Sequence, residues 1–500
     1  MGYKKMFLKS RKAVLAVICA AAVALSVLLF AACNGLKWDG VGGGSPESPV
    51  ESQYGFVVKQ GGYLYFINGD DSAVAENLFG KHEKGALIRA ELDGNGDVKP
   101  DTYKRIVPLV VYSADKNAGF AVFGNYIYYA APNTEKDKTG TPSTTQLDIM
   151  RSKIDGSSPE VLLTLTSRSF PFSFYPGAIV WHDSSESALY KADLTSGDKK
   201  KISSSVKAIA ERVVEARFVY ATNYTPGQGE KLGDFIYIAQ TRPADESAFW
   251  YDYKAVKYDG SKEYTLINNL TFLPEGETDS NKYPEQTFQV KSVNHLYNED
   301  TETLTLYYTK SVYFNQTTTA RGVFFGNVVY ENGGPVFKAA TELKLSEDSA
   351  TTTFTPVSYE AGVLLTVNSN LFLVKGYPVK SDNPNSFETA DAVIDGALSP
   401  TVIYVIDGYV YYSASSALYR ISLTEKTAVA QKLTTKVAAS SSWMTYDRIG
   451  MKLYFFNTND YNYIGVFDLT NPDDTDEAVK LVGYRNETDQ AAYDAAHADA

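Results

Sequence analysis

Four histidines, His82, His182, His295 and His497, are scattered over the 500 residues, and imidazole is the side chain that most often holds a metal or moves a proton near neutral pH. Each stands in a different stretch of sequence, so a multi-histidine metal site or a Ser-His-Asp triad has no pattern to rest on. Cysteine adds nothing to the body of the chain, since the two present are Cys19 and Cys33; thiolate metal sites and a cysteine nucleophile are excluded there. Asp93, Asn95 and Asp97 imitate the opening of a calcium loop. Val98, however, stands where that loop requires glycine and Lys104 where its closing glutamate belongs, so the segment reads as a turn. Asp473, Asp474, Asp476 and Glu477 read as a solvated acidic hairpin tip. No catalytic set, metal or cofactor is expected.

Recognition chemistry remains. Thirty-seven tyrosines and 25 phenylalanines supply ring faces, most of them alternating along strands, where packing with the hydroxyl at a wet edge explains them. Five residues are placed instead at strand ends or long connections and are the candidate ligand-binding set: His82, His182, Asp183, Trp250 and Tyr313. A rival chemistry, hydrolysis or lyase cleavage of an envelope polysaccharide, would need two carboxylates across a bowl, for example Asp70 and Asp183.

The elements that must position these residues follow from a repeat. Phe56-Val57-Val58-Lys59-Gln60, Gly61-Gly62, Tyr63-Leu64-Tyr65-Phe66 is a strand, a two-residue turn and a tyrosine-rich strand. The same order returns at Ala121-Val122-Phe123, Gly124-Asn125, Tyr126-Ile127-Tyr128-Tyr129. It recurs at 172–181 around Pro176-Gly177, at 357–367 around Ala361-Gly362, and at 402–412 around Asp407-Gly408. Such dipeptides suit tight hairpin turns. An alternating third strand follows, as in Leu87-Ile88-Arg89-Ala90-Glu91-Leu92, Ile149-Met150-Arg151-Ser152-Lys153-Ile154, 253–258 and Leu418-Tyr419-Arg420-Ile421-Ser422-Leu423, and a fourth is expected at 161–165 and 264–267. Four antiparallel strands per unit make the blade of a β-propeller. The fold class is therefore all-β, a single propeller over 54–484 with about eight four-stranded blades, or seven if one irregular unit is mis-split. Tandem β-sandwiches would explain the strands but not why one hairpin opens every unit. The runs 204–215 and 490–500 are expected as short helices, and no spare N-terminal strand is apparent.

Second-to-third connections are expected to be long at 68–85, 131–146, 241–249 and 311–320, giving one elaborated face, although 223–232 and 376–388 are long on the other. The phrase Ile179-Val180-Trp181-His182-Asp183 followed by Leu189-Tyr190-Lys191-Ala192-Asp193-Leu194 resembles the YWTD-type propeller repeat of low-density-lipoprotein-receptor relatives. Asp407-Gly408-Tyr409-Val410-Tyr411-Tyr412 followed by Leu418-Tyr419-Arg420-Ile421 is similar to its bacterial counterpart in exported proteins of unknown function. The resemblance implies a propeller and a binding-scaffold role, with no catalytic residues.

The first 32 residues have the order of a secretory signal: Lys4, Lys5, Lys9, Arg11 and Lys12, then an apolar run over 13–32. Leu29-Phe30-Ala31-Ala32-Cys33 resembles the lipobox of bacterial lipoproteins, which implies cleavage before Cys33 and lipidation of its thiol; an uncleaved transmembrane anchor is the alternative. A Gly/Ser/Pro linker over 33–53 and a polar tail at 485–500 flank the propeller. The net charge of −12 becomes −17 without the five basic residues of the leader, so a nucleic-acid backbone would be repelled. The expected protein is extracytoplasmic and lipid-anchored to a bacterial membrane. It is expected to act as a non-enzymatic binding or scaffold propeller for an envelope protein or glycan, with no nucleic-acid partner.

Overall fold

Alternating apolar residues separated by two-residue turns build hairpins, and a hairpin is stable only when its faces are covered. The computed structural model describes residues 52–482 apart from 69–84, 114–118, 134–144, 219–230, 242–250, 268–286, 344–353, 376–391, 395–400, 423–428, 436–443, 457–463, 471–478 and shorter gaps. The leader, Cys33, most of the linker and the tail lie outside the described residues.

Eight antiparallel sheets follow one another along the chain. The first holds Ser52–Tyr54 (β1), Val57–Gln60 (β2), Tyr63–Ile67 (β3), Leu87–Glu91 (β4) and Lys104–Val107 (β5). The second holds Phe120–Phe123 (β6), Tyr126–Pro132 (β7), Leu147–Lys153 (β8) and Glu160–Leu165 (β9). Phe172–Tyr175 (β10), Ala178–Asp183 (β11), Ala188–Asp193 (β12) and Lys207–Glu211 (β13) form the third. Val213–Phe218 (β14), Phe235–Thr241 (β15), Tyr251–Lys257 (β16) and Glu263–Ile267 (β17) form the fourth. The fifth has long strands, Thr287–Asn298 (β18), Thr303–Phe314 (β19) and Thr317–Glu331 (β20), then Gly334–Phe337 (β21), with Thr341–Leu343 (β22) also on β20. The sixth is Phe354–Tyr359 (β23), Gly362–Val367 (β24), Asn370–Lys375 (β25) and Ala392–Ile394 (β26). The seventh is Thr401–Ile406 (β27), Tyr409–Ala414 (β28), Ala417–Ser422 (β29) and Gln431–Thr434 (β30). The last is Met444–Asp447 (β31), Lys452–Phe456 (β32), Ile464–Asp468 (β33) and Val479–Val482 (β34). Among the described residues six sheets have four strands and two have five. The fold is all-β, a β-propeller arrangement in which six four-stranded blades are present.

Neighbouring sheets stack face to face. Val180, Leu189 and Ala210 of the third meet Ile236, Ile238 and Val256 of the fourth. Tyr237, Tyr253 and Ala255 of the fourth meet Leu304, Leu306 and Val328 of the fifth, while Tyr411, Leu418 and Leu433 of the seventh meet Leu453, Phe455 and Phe467 of the last. Each of the larger aliphatic and phenylalanine side chains contributes roughly 1.5–3 kcal/mol when it leaves water. The sheets at the two ends of the chain also meet: β1 packs against β31, and Lys452 Nζ donates to Asp97 Oδ1 at 2.5 Å.

Several expectations are corrected. Several tyrosines of the repeat are not at a wet edge: Tyr65, Tyr128, Tyr175, Tyr237 and Tyr412 are fully buried, whereas Tyr63, Tyr126 and Tyr409 are half-buried. Tyr237 Oη donates to Leu232 O at 3.0 Å, and burial pushes the Tyr65 and Tyr128 phenols up. Within 204–215 the chain forms strands, 207–211 in β13 and 213–215 in β14, and only Ser204 belongs to a helix. A short helix, Lys199–Ser204 (α1), precedes them, started by Asp198, whose carboxylate accepts from Lys200 N. Residues 311–320 are not a long loop either; β19 and β20 continue until Phe314 pairs with Thr317, as suits a run of threonine and valine. Gly362, expected in a turn, pairs with Tyr359 as the first residue of β24. Finally, β1 is an N-terminal strand the sequence did not disclose.

Candidate functional site

In each antiparallel sheet the second-to-third connection leaves from the end opposite the first-to-second turn. At that end β3–β4 is joined by 68–86, β7–β8 by 133–146 and β15–β16 by 242–250, whereas four of the opposite turns, 61–62, 124–125, 176–177 and 407–408, take two residues each. The roots of the long connections are the best-built polar region among the described residues.

Asn68 follows β3 and is 1% exposed; its backbone exchanges two bonds with the returning chain, Asn68 N to Ala86 O and Gly85 N to Asn68 O, both at 2.7 Å. Asn133 holds the same place after β7. Its Nδ2 donates to Asp148 Oδ1 at 2.8 Å, and Thr164 Oγ1 donates to that oxygen at 2.7 Å, so a carboxylate 4% exposed clasps three strands together. Arg168 Nε donates to Gln146 O at 3.0 Å beside it. At the third root Gln240 Nε2 donates to Glu211 O at 2.8 Å and Arg212 Nε to Thr241 O at 3.1 Å. Buried polar groups cost stability unless every one is satisfied, and here each bond fixes where a connection leaves and re-enters the fold.

His182 and Asp183 close β11 at this same end. His182 is 4% exposed, and its Nε2–H donates to Val213 O at 3.1 Å, tying the third sheet to the fourth. Burial pushes its pKa down, against the bond to Val213 and the carboxylates of Asp183 and Glu215. Asp183 Oδ1 accepts from Ser185 N at 2.9 Å, Ser185 Oγ at 2.5 Å and Glu186 N at 3.1 Å. The two residues are adjacent, yet both spend these bonds on the scaffold. Tyr313 lies in β19, in register with Thr287 and Thr318 near the tip of the long hairpin. His82, Trp250, Asp70, Cys33 and the acidic run 473–477 lie outside the described residues. Among the described residues no group of three His, Cys, Asp or Glu could hold a metal ion, and no helix is long and apolar enough to cross a membrane.

The Asp93 segment is a turn: Asp93 Oδ1 accepts from Asn95 N at 2.8 Å and Asp97 N at 2.9 Å. A repeated arginine was missed. Arg89, Arg151 and Arg420 lie 4.6, 4.7 and 4.7 Å over the rings of Tyr63, Tyr126 and Tyr409. Arg89 Nη1 reaches Ile154 O of the next sheet at 3.1 Å, and Arg151 Nη1 reaches Ser196 O at 3.1 Å while pairing with Glu160. The signal was legible as a turn-proximal tyrosine with an arginine in the third strand. The asparagine after β3 and β7 was a second overlooked sign.

No family model and no curated protein matches the sequence. Among solved structures the chain is similar to apo AztD from Citrobacter koseri, at 12% identity over 85% of this chain and 95% of that one, with a TM-score of 0.38. A second Citrobacter koseri AztD structure gives 13% identity, the same coverages and a TM-score of 0.35. A putative 6-phosphogluconolactonase from Bacteroides uniformis gives 10% identity over 71% of this chain and 97% of that one, with a TM-score of 0.30.

Proposed function

We propose that the chain is a membrane-tethered extracytoplasmic lipoprotein whose propeller binds an envelope protein or glycan without turning it over. One observation carries the reading: backbone bonds at Asn68 and side-chain clasps at Asn133–Asp148–Thr164 and Gln240 pin the roots of three long connections at one end of the sheets, although 184–187, 315–316, 368–369 and 415–416 are short there and 219–234 and 376–391 are long at the other end. A rigid scaffold that presents long segments on one side is how loops recognise a ligand. In this reading the two five-stranded sheets are blades as well, making eight in a closed ring. The stacking of Trp181 on Tyr190, with centroids 5.6 Å apart, supports the YWTD-like assignment of the third blade.

The ligand side is tested by screening the full chain and a Trp250→Ala, His82→Ala variant against a glycan array and a panel of purified envelope proteins. Selective binding lost in the variant is expected; unchanged binding by the variant overturns this face as the site. The tether is tested by fractionation, in which Cys33→Ser moves the protein from the membrane to the soluble pool.

A further inference from the structure

The third sheet makes its last turn by a route its neighbours do not use. Residues 154–159 and 258–262 connect third and fourth strands through a short Asp-Gly turn, whereas 194–206 contain α1. That helix packs against β9 of the second sheet and β12 of its own, with Ile202 fully buried. Its other side carries Lys200 and Lys201, both exposed, and Lys207 is exposed at the start of β13. Lys191 lies directly opposite Lys207 in the β12–β13 ladder, an arrangement in which like charges repel. None of these four lysines makes an ion pair with a described residue, although pairs such as Lys254–Glu263 and Lys338–Glu331 are made on neighbouring sheets. Between Lys201 and Lys207 sits Val206, 38% exposed and one of four large apolar side chains exposed among the described residues.

Lysines without an ion pair to a described residue on α1, β12 and β13, with exposed Val206 next to Lys207 in sequence and Asp198 as the carboxylate at the helix start, are complementary to an anionic surface with an apolar layer just beneath it. From this we infer that the α1 edge of the third sheet docks on anionic phospholipid headgroups of the membrane that holds the tether. Val206 enters the headgroup boundary, and Lys191, Lys200, Lys201 and Lys207 meet the phosphates. The inference rests on the lipid anchor proposed above. In free solution the acidic body opposes approach to such a surface, but with the proposed anchor at Cys33 the Gly/Ser/Pro composition of the roughly 20 residues before β1 corresponds to a mean reach of roughly 25 Å. At that separation the effective concentration is high, and a patch of a few lysines suffices.

The test uses the full chain incorporated into phosphatidylcholine vesicles with or without phosphatidylglycerol, with each lysine's acetylation rate read by mass spectrometry. Lys200, Lys201 and Lys207 are expected to react roughly fivefold more slowly on anionic vesicles and to recover in high salt, while Lys104 and Lys432, exposed on other sheets, do not change. A Val206→Asp variant folds with the same thermal midpoint and loses the protection. Equal rates on both vesicles overturn the proposal. So does slowing that tracks protein concentration without lipid, which marks a contact between copies, or slowing by soluble polyphosphate but not by vesicles, which marks a free polyanion site. Failure to float with neutral vesicles overturns the lipid anchor alone, because the acetylation rates with anionic vesicles still report on the patch.

Discussion

Arg151 shows how a single side chain can hold sheets together. Its side chain is 4% exposed while its partner Glu160 is 44% exposed, so the pair is half screened and its worth lies as much in the carbonyl of Ser196 and the ring of Tyr126 as in charge. Arg151→Ala is expected to cost about 2 kcal/mol in urea denaturation, and Arg151→Lys to recover less than half of it, because an ammonium lacks the planar fork that spans Glu160 and Ser196 O and the flat face that stacks on Tyr126. His182 makes a pH-dependent contribution. Its folded pKa lies below the ordinary 6.5, so above that pH neither state binds the proton and nothing is lost. As pH falls through 6.5 toward the folded pKa the unfolded chain takes up the proton first, and stability declines. His182→Gln should flatten the decline between pH 8 and pH 5, measured as the urea midpoint; an unaltered pH profile would count against a buried neutral imidazole.

At the scale of the element, the third-to-fourth turn sets how close two sheets may come. Gly156 has φ 82° in such a turn, and a Cβ there would lie 2.1 Å from Ile106 O of the preceding sheet. Gly94, in the third-to-fourth connection of the first sheet, is not among the glycines of positive φ and has nothing within 4 Å of an added Cβ. Gly156→Ala is therefore expected to destabilise by about 3 kcal/mol and Gly94→Ala by no more than about 0.5 kcal/mol, compared by thermal denaturation. The hairpins were legible because turn dipeptides and alternation are local. The strands within 204–215 were not: alanine, isoleucine and valine there satisfy either period, and the partner that selects β14, β15, begins only at Phe235. The same holds at Tyr313, where only pairing with β18 and β20 turns an apparent loop into ladder.

For the molecule as a whole, the telling contact joins its two ends. Lys452 is 7% exposed on its side chain and Asp97 34%, and they are 355 residues apart in sequence. Asp97→Asn strands a buried ammonium and is expected to cost about 2 kcal/mol. Hydrogen exchange should then quicken in 444–468 and 52–60 while 172–193 is unaffected; uniform quickening would mean that the contact is not a local seam. The sequence by itself determined the all-β class, the repeat unit, most strand pairs and the acidic charge, because each depends on residues a few positions apart. It also singled out His182 and Asp183, but not what they do. The tertiary structure alone decided that His182 bonds Val213 of the next sheet, that five of the repeat tyrosines are interior, that Asn133, Asp148 and Thr164 converge, and that the first sheet meets the last. Those facts depend on which sheets become neighbours in space, and no short-range pattern of side chains encodes that.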